Sequence, residues 1–551
     1  MMRGFFKNAL VWVLFLSLPL GGCTRQDMSQ QDLELQKMEQ ASAPETVPPP
    51  QQQKTALRIP AEDSGSRNPF SRAGSKLSVS PLLYQSLYVL NDDYIPHEVL
   101  AASMVQDNRV CTISLNSSAR FSDGSQVTAA DVVASLREAL KYPRAFPALS
   151  RSVESCSVSG DQAVIVLAQE DRNAASLFTF PVCKSGTQSD PLPIGSGAFV
   201  LDSPSSTRMR RNPFYRDSAR LPEEMDRVEL VPVADDESLE YMLKIGVIDF
   251  YFSDGDNFDL YGYGSTERLT LNRMTFWGFN RTAGSPLYND GLAQALWEAL
   301  DDGQEQLVSL AYGDLAETVS YPFHPGYWKR IQGDALLAQP PTPSPEEAPP
   351  GEDGAASSSA PAALPEGAEP SPVPTLEEAV GRLGYTEKDE EGFWVRSSRG
   401  NVQRLSLRIL VNSENEYRQH LAQLTAEKLA ELGIECQISS ESYEAYLQAV
   451  QARRFDLYLG ETRMEANMDI SFLFSPENAQ RLGLDYDEGL EASAAAFKTG
   501  EMDLRGLIEV LDRAAVIKPV CYQKGCFSYS RNLPGNFISE NREMFLELQN
   551  W

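Results

Sequence analysis

Ala119-Arg120-Phe121-Ser122-Asp123-Gly124, followed two residues later by Val127-Thr128-Ala129-Ala130-Asp131-Val132-Val133, is the stretch on which the fold reading turns. Asp-Gly is a turn signal, because glycine accepts positive φ without a steric penalty. Thr128 to Asp131 has the spacing of a capping box, in which the threonine hydroxyl takes an orphan amide proton and the acid bonds back. The helix that follows should bury Val132, Val133, Leu136 and Leu140 along one face. Just upstream, Val110-Cys111-Thr112-Ile113-Ser114-Leu115 alternates like a half-buried strand, and Val164 to Leu167 reads as another. Strands mixed with amphipathic helices place the chain in the α/β class.

The second half repeats this grammar. Thr375-Leu376-Glu377-Glu378 is a capping box, and Gly384 should end the helix it opens. Leu405, Leu407, Ile409 and Val411 alternate as a strand, and Ser413 with Glu416 forms a further capping box. The next helix carries Tyr417, Leu421, Leu424 and Leu432 on one face and stops at Gly433. Ile434 to Ile438 is then a strand, Tyr443, Tyr446, Leu447 and Val450 share a helix face, and Phe455 to Leu459 is the next strand. This alternation predicts a largely parallel sheet.

These motifs occur in an order that resembles the extracellular solute-binding proteins serving peptide and nickel importers of the ATP-binding-cassette type. The stretch quoted first is the strongest match. Pro81 to Tyr88 (PLLYQSLY), Ile194 to Phe199 (IGSGAF), Arg211 to Tyr215 (RNPFY), Lys244 to Asp249 (KIGVID), Leu432 to Ile434 and Arg454 to Leu457 follow in the family's order. Each motif alone is weak; the ordered set, from about residue 58 onward, is specific.

The resemblance implies a two-lobed fold of the type II, peptide-binding-protein kind with a smaller third domain. Lobe I would combine 55–90, 190–277 and 487–551, the small domain 91–189, and lobe II 278–486. Thr275 to Asn280 (TFWGFN) would be one hinge strand, and a peptide or other small solute would sit between the lobes. In peptide-binding members an acid of lobe II meets the guest's terminal ammonium, and aligning Phe472-Leu473 puts Glu465 there. The chain departs from the pattern around it: Thr462 stands for an expected tryptophan and Asp469 for a proline. Gln85 stands where the family has an acid, and Trp277 can floor the pocket or pack in a core. Arg463 can hold a carboxylate through two parallel bonds or pair with Glu461 or Glu465 at the surface. The implied partners are a permease with its ATPase. A surface sensing lipoprotein that keeps the fold without transport is the alternative, and genes for a permease and ATPase beside its own would separate the two.

The rest of the sequence sets limits. At 551 residues the chain is too long for one core, so two or three domains are expected. A net charge of -29 argues against nucleic-acid binding, which needs clustered Lys and Arg. Residues 1–22 read as a lipoprotein signal peptide: Arg3 and Lys7 precede the apolar run Ala9 to Leu20, which is short for a bilayer. Leu20-Gly21-Gly22-Cys23 resembles a lipobox, with Cys23 as the lipidated first residue of the mature chain. Residues 23–54 read as a disordered tether, and 339–374 as a disordered acidic insert. This places the protein, expected to be a monomer, outside the membrane it is anchored to.

Six further cysteines, Cys111, Cys156, Cys183, Cys436, Cys521 and Cys526, match no zinc pattern. In an oxidising compartment disulfides are allowed, with Cys521 and Cys526 near enough in sequence to pair across a tight turn. Only His97, His324 and His420 are present, none at ligand spacing, and His324 reads as a loop residue. No metal or other cofactor is expected. Without a Gly-x-Ser-x-Gly, a His-Glu-x-x-His or a phosphate loop, no enzymatic activity is expected either.

Overall fold

The structure, a computed structural model, describes residues 56–530 and Leu533, apart from 63–64, 74–76, 222–224, 234–236, 254–263, 339–373 and 399. The signal peptide, Cys23, the tether and the acidic insert up to residue 373 lie outside the described residues.

The opening motif forms as its chemistry dictates. Gly124 takes φ +86° in the turn, and the helix runs Ala129–Ala139 with Val132, Val133 and Leu136 buried. Asp131 Oδ2 accepts from the Thr128 backbone N–H at 2.8 Å. Its Oδ1 accepts from the Ser185 N–H at 2.6 Å, so the cap also fastens a distant loop. The helix lies against a four-stranded antiparallel sheet whose spatial order is Ala101–Asp107, Val110–Leu115, Gln162–Leu167, Val153–Ser159.

A second four-stranded sheet joins Ala56–Ala61, Arg227–Pro232, Arg208–Arg211 and Phe199–Val200. Gly195 and Gly197 let this region approach the short helix Ser80–Leu83, since a Cβ on Gly197 would stand 2.3 Å from the Leu82 carbonyl oxygen. Both sheets contribute to one hydrophobic core, from Leu57 and Ile59 through Ile113, Ile165 and Phe178 to Val228 and Phe527.

The third sheet has seven strands and is mixed rather than largely parallel. Ser406–Asn412 runs parallel to Glu435–Glu441 and Leu457–Arg463. The long strands Gly264–Phe279 and Ile517–Ser530 join antiparallel to each other, and Gly264–Phe279 is antiparallel to Leu457–Arg463 as well. These antiparallel pairings join residues hundreds of positions apart, a relation that local periodicity does not encode. Two further cores cover opposite faces of this sheet. Met274, Phe276, Tyr458 and Tyr522 face one, and Trp277, Phe279, Leu459 and Val520 face the other.

Local corrections are few. The helix Glu416–Glu431 is capped by Asn415, whose side chain accepts from the Arg418 N–H, not by Ser413. In the helix Tyr443–Gln451 only Tyr446 and Val450 of the expected face are buried; Tyr443 and Leu447 are exposed. The strand expected over Phe455 to Leu459 spans Leu457–Arg463.

Candidate functional site

Two long strands carry the chain from the first core to the other two. Leu269 and Phe527 belong to the first core, Met274 and Tyr522 to the second. Between them the pairing slips: Thr270 faces Lys524, but Met274 faces Tyr522, so three residues of one strand oppose one of the other. Such a bulge bends a strand and weakens the ladder locally. The loosened segment is picked up from the side. Asn272 Nδ2 donates to the Met464 carbonyl at 2.9 Å, and the Met464 N–H donates to the Asn272 carbonyl at 2.7 Å. Arg273 holds Glu461 through its Nε at 3.1 Å and Nη2 at 3.0 Å, and Gln523 Nε2 donates to the same carboxylate at 3.1 Å.

Met464 opens a loop that runs to the short helix Ser471–Phe474 and forms one wall of a seam between the cores. Glu465 is buried there, its side chain 7% exposed, and it pairs with Arg151 of the short helix Pro147–Ser152 on the other side. The Arg151 guanidinium lies 5.1 Å from the centre of the Phe472 ring. Asn467 Nδ2 donates to Asp171 Oδ2 at 2.7 Å. Asn173 Nδ2 donates to the Asn467 carbonyl at 3.1 Å and to the Tyr327 hydroxyl at 2.9 Å. Arg330 donates to the Tyr94 carbonyl at 2.7 Å, and Arg172 stacks 3.8 Å from the centre of the Phe497 ring. Burial pushes the Asp171 carboxyl above its ordinary range, while Asn467, Lys498 and the Asn173 N–H pull it back. The seam is therefore polar, with Glu465, Asn467 and Asp171 buried within it and Arg151 and Arg172 at its exposed rim.

A sequence profile of the family described as "Bacterial extracellular solute-binding proteins, family 5 Middle" matches residues 95–476. The chain belongs to that family. Its fold is also that of solved relatives. A periplasmic murein tripeptide binding protein, MppA, in an unliganded open form, superposes with a TM-score of 0.63 at 16% identity, covering 87% of this chain and 93% of that one. NikA from Brucella suis, solved with Fe(III)-EDTA, gives 0.61 at 17% identity, covering 90% and 99%. The oligopeptide-binding protein AppA from Bacillus subtilis, solved with a nonapeptide, gives 0.52 at 15% identity, covering 90% and 98%. No curated protein sequence matches the chain.

Within this solute-binding protein, the residues singled out from sequence have distinct fates. Glu465 lies in the seam. Asp469, 7% exposed, is committed to structure: it accepts from the Ser471 N–H at 2.9 Å and from Lys498 Nζ at 2.7 Å. Thr462 is buried opposite Met274, and Arg463 is exposed beside Arg273 at the strand end. Gln85 is half-buried, and its carbonyl accepts from the Val182 N–H at 2.9 Å. Trp277 does not floor a pocket. It is 2% exposed inside a core and leaves no face for a guest.

His324 is a loop residue, as its sequence context reads, standing just before the helix Pro325–Ala338. It is buried beneath the bulge, 3% exposed, with Nε2 3.2 Å from the Thr270 carbonyl oxygen and its ring against Tyr94. The Gly326 N–H donates to Nδ1 at 3.1 Å, which assigns a neutral tautomer with the proton on Nε2. All six described cysteines are free. Cys521 and Cys526 share the strand Ile517–Ser530, so ~16 Å of extended chain separates them, beyond disulfide reach. Burial pushes the Cys521 thiol up to about 12, which keeps it inert. Among the described residues no group of three or more His, Cys, Asp or Glu is arranged to hold a metal ion, and no helix is long and apolar enough to cross a membrane.

The residues that sequence reasoning missed are Arg151, Asp171, Asn173, Tyr327 and Arg330. None lies in a family-like motif, and each acquires its role from a partner far away in the chain.

Two cavities open elsewhere, beside the long strands. One of about 630 Å³ is lined by Gln304, Glu305, Asp314, Glu317 and Lys524 among others. One of about 580 Å³ is lined by Trp297, Asp301, Tyr321, Asp512 and Lys518 among others. Asp301 holds the buried Lys518 ammonium, and Tyr321 donates to Asp512 at 3.4 Å. The second cavity thus sets four acids, Glu298, Asp301, Asp302 and Asp512, around the one ammonium of Lys518.

Proposed function

We propose that this protein captures a peptide in the seam between its second lobe and the small domain and hands it to the permease of an ATP-binding-cassette importer. The observation that carries the reading is the placement of Glu465: a buried carboxylate on one wall of a seam, next to a bulged pair of connecting strands. That carboxylate is met by the half-exposed Arg151 when no guest is bound, and a peptide's terminal ammonium would take the same place. Opening about the bulge would hydrate both walls; closing would exclude water from the guest. Backbone groups of a guest would pair with strand edges and loops, since an unmet buried amide costs ~1–3 kcal/mol. The peptide-binding relatives lend this reading support through their fold.

The lobe partition expected from the family's pattern is part of the proposal with one change: Leu490, Phe497, Leu507 and Leu511 share a core with Tyr446 and Leu473, so the helices that carry them go with the second lobe rather than the first. A lipid on Cys23, followed by a tether over 23–54, holding the protein at the outer face of the membrane, is part of it too. Binding without chemistry is the proposed activity. Thermal unfolding with a defined tripeptide library tests it. A guest at a hundredfold excess over its Kd should stabilise the folded chain by ~2.7 kcal/mol. No shift with any peptide would refute peptide capture. Separately, Cys23→Ser should release the chain from membranes, and continued retention would refute the lipid anchor.

A further inference from the structure

The cation facing Glu465 comes from the protein itself. Glu465 is held in the loop of one wall with its side chain 7% exposed, whereas Arg151 is 43% exposed and reaches over from a helix of only six residues on the other. The pair is therefore asymmetric: the carboxylate is trapped, and the guanidinium is a visitor from the surface. Phe472 supports that visit by offering the face of its ring. Burial is the largest influence on the Arg151 guanidinium and disfavours its charge; Asp469 and Glu477 attract it, and Arg481 opposes it. Any cationic head that reaches Glu465 must contend with a guanidinium already there.

We propose that Arg151 is a built-in occupant of the guest's charged subsite, closing the empty seam on Glu465 until a solute with a free ammonium or guanidinium displaces it. This rests on the capture reading above for the guest, but not for the closure. Two consequences follow from the electrostatics. First, affinity for a cationic guest is lowered by the fraction of molecules in which Arg151 holds the subsite. Second, without Arg151 a closed, empty seam would bury an unpaired carboxylate, so the seam should open to hydrate it.

The test uses the full chain in membrane nanodiscs, with energy transfer between dyes at the exposed positions Ser157 and Gln480. Arg151→Ala should separate the dyes in the empty protein. Arg151→Lys should not, and Arg151→Ala combined with Glu465→Gln should bring them together again, because a neutral amide needs no cation. An unchanged distance in Arg151→Ala would overturn the proposal, and so would a double variant that stays open. Binding is then measured with trialanine and with N-acetyl-trialanine. Trialanine should bind Arg151→Ala at least tenfold more tightly than the parent, and the acetylated form should gain nothing. Equal affinities would overturn displacement. If the dyes separate as expected but neither protein binds trialanine, closure by Arg151 is upheld and peptide capture is what fails.

Discussion

The turn and helix over 119–139 and the loop over 464–473 are both glycine-poor and fastened by buried polar side chains, yet they are held together in opposite ways. In the first, Asp123 binds the Ser125 N–H two residues on, and Asp131 binds the Thr128 N–H three residues back. In the second, Glu465 meets Arg151 at a separation of 314 residues, and Asn467 meets Asp171 at 296. The first segment satisfies much of its polar demand locally, so it forms wherever the chain folds at all. The second is satisfied only when two cores have been built and brought together. A binding protein needs that division, because the parts that open must be those whose bonds are not local.

Breaking the seam should cost most. Asn467→Ala removes a donor to Asp171, which is 1% exposed, and should lower stability by ~2 kcal/mol in chemical unfolding at neutral pH. The sign of its pH dependence follows from burial. The folded Asp171 carboxyl lies above its ordinary value, so the buried charge is a cost at neutral pH that is relieved as pH falls through that raised value. The deficit of Asn467→Ala should therefore shrink on acidification. A deficit that grows instead would mean that Asp171 is not the group left stranded.

The local cap comes next. Asp131→Ala removes the bonds to Thr128 and Ser185 and should cost ~1.5 kcal/mol by the same assay, with no change in the dye distance across the seam. Opening of the seam by this variant would show that the two regions are coupled, contrary to the contrast drawn above.

The smallest effect belongs to Asp123. Although partial burial pushes its carboxyl up, Lys184 and Ser125 outweigh this and hold it at about 2. Its contribution is thus present above the ordinary carboxylate value and lost as pH falls toward 2. Asp123→Asn keeps the turn acceptor but loses the ion pair with the partly exposed Lys184, so a loss of ~0.5 kcal/mol or less is expected. The difference from the parent should vanish on titration from pH 5 to pH 2, and persistence at pH 2 would assign it to the turn.

Much of the fold was legible. The cap at Thr128, the cap at Thr375 with its Glu378, the glycine stops at Gly384 and Gly433, and the strand Val110–Leu115 stand where their local chemistry put them. The readings that the sequence left open share a cause. Trp277 was legible as an aromatic in a connecting strand, but only the core around it excludes it from a pocket. Asp469 was legible as an acid near the site, but Lys498 spends its charge on structure. Cys521 and Cys526 were close in sequence, but an extended strand keeps them apart.

By itself, then, the order of residues determined the α/β class, the capped helices, the turns and the family, because each depends on groups a few positions apart or on motifs in series. Tertiary structure alone decided that the central sheet is mixed, that His324 lies beneath the bulge, and that Arg151 covers Glu465. The reason is range. A capping bond is specified by a spacing of three, whereas a guanidinium arriving from 314 residues away is specified only by the whole packing that delivers it.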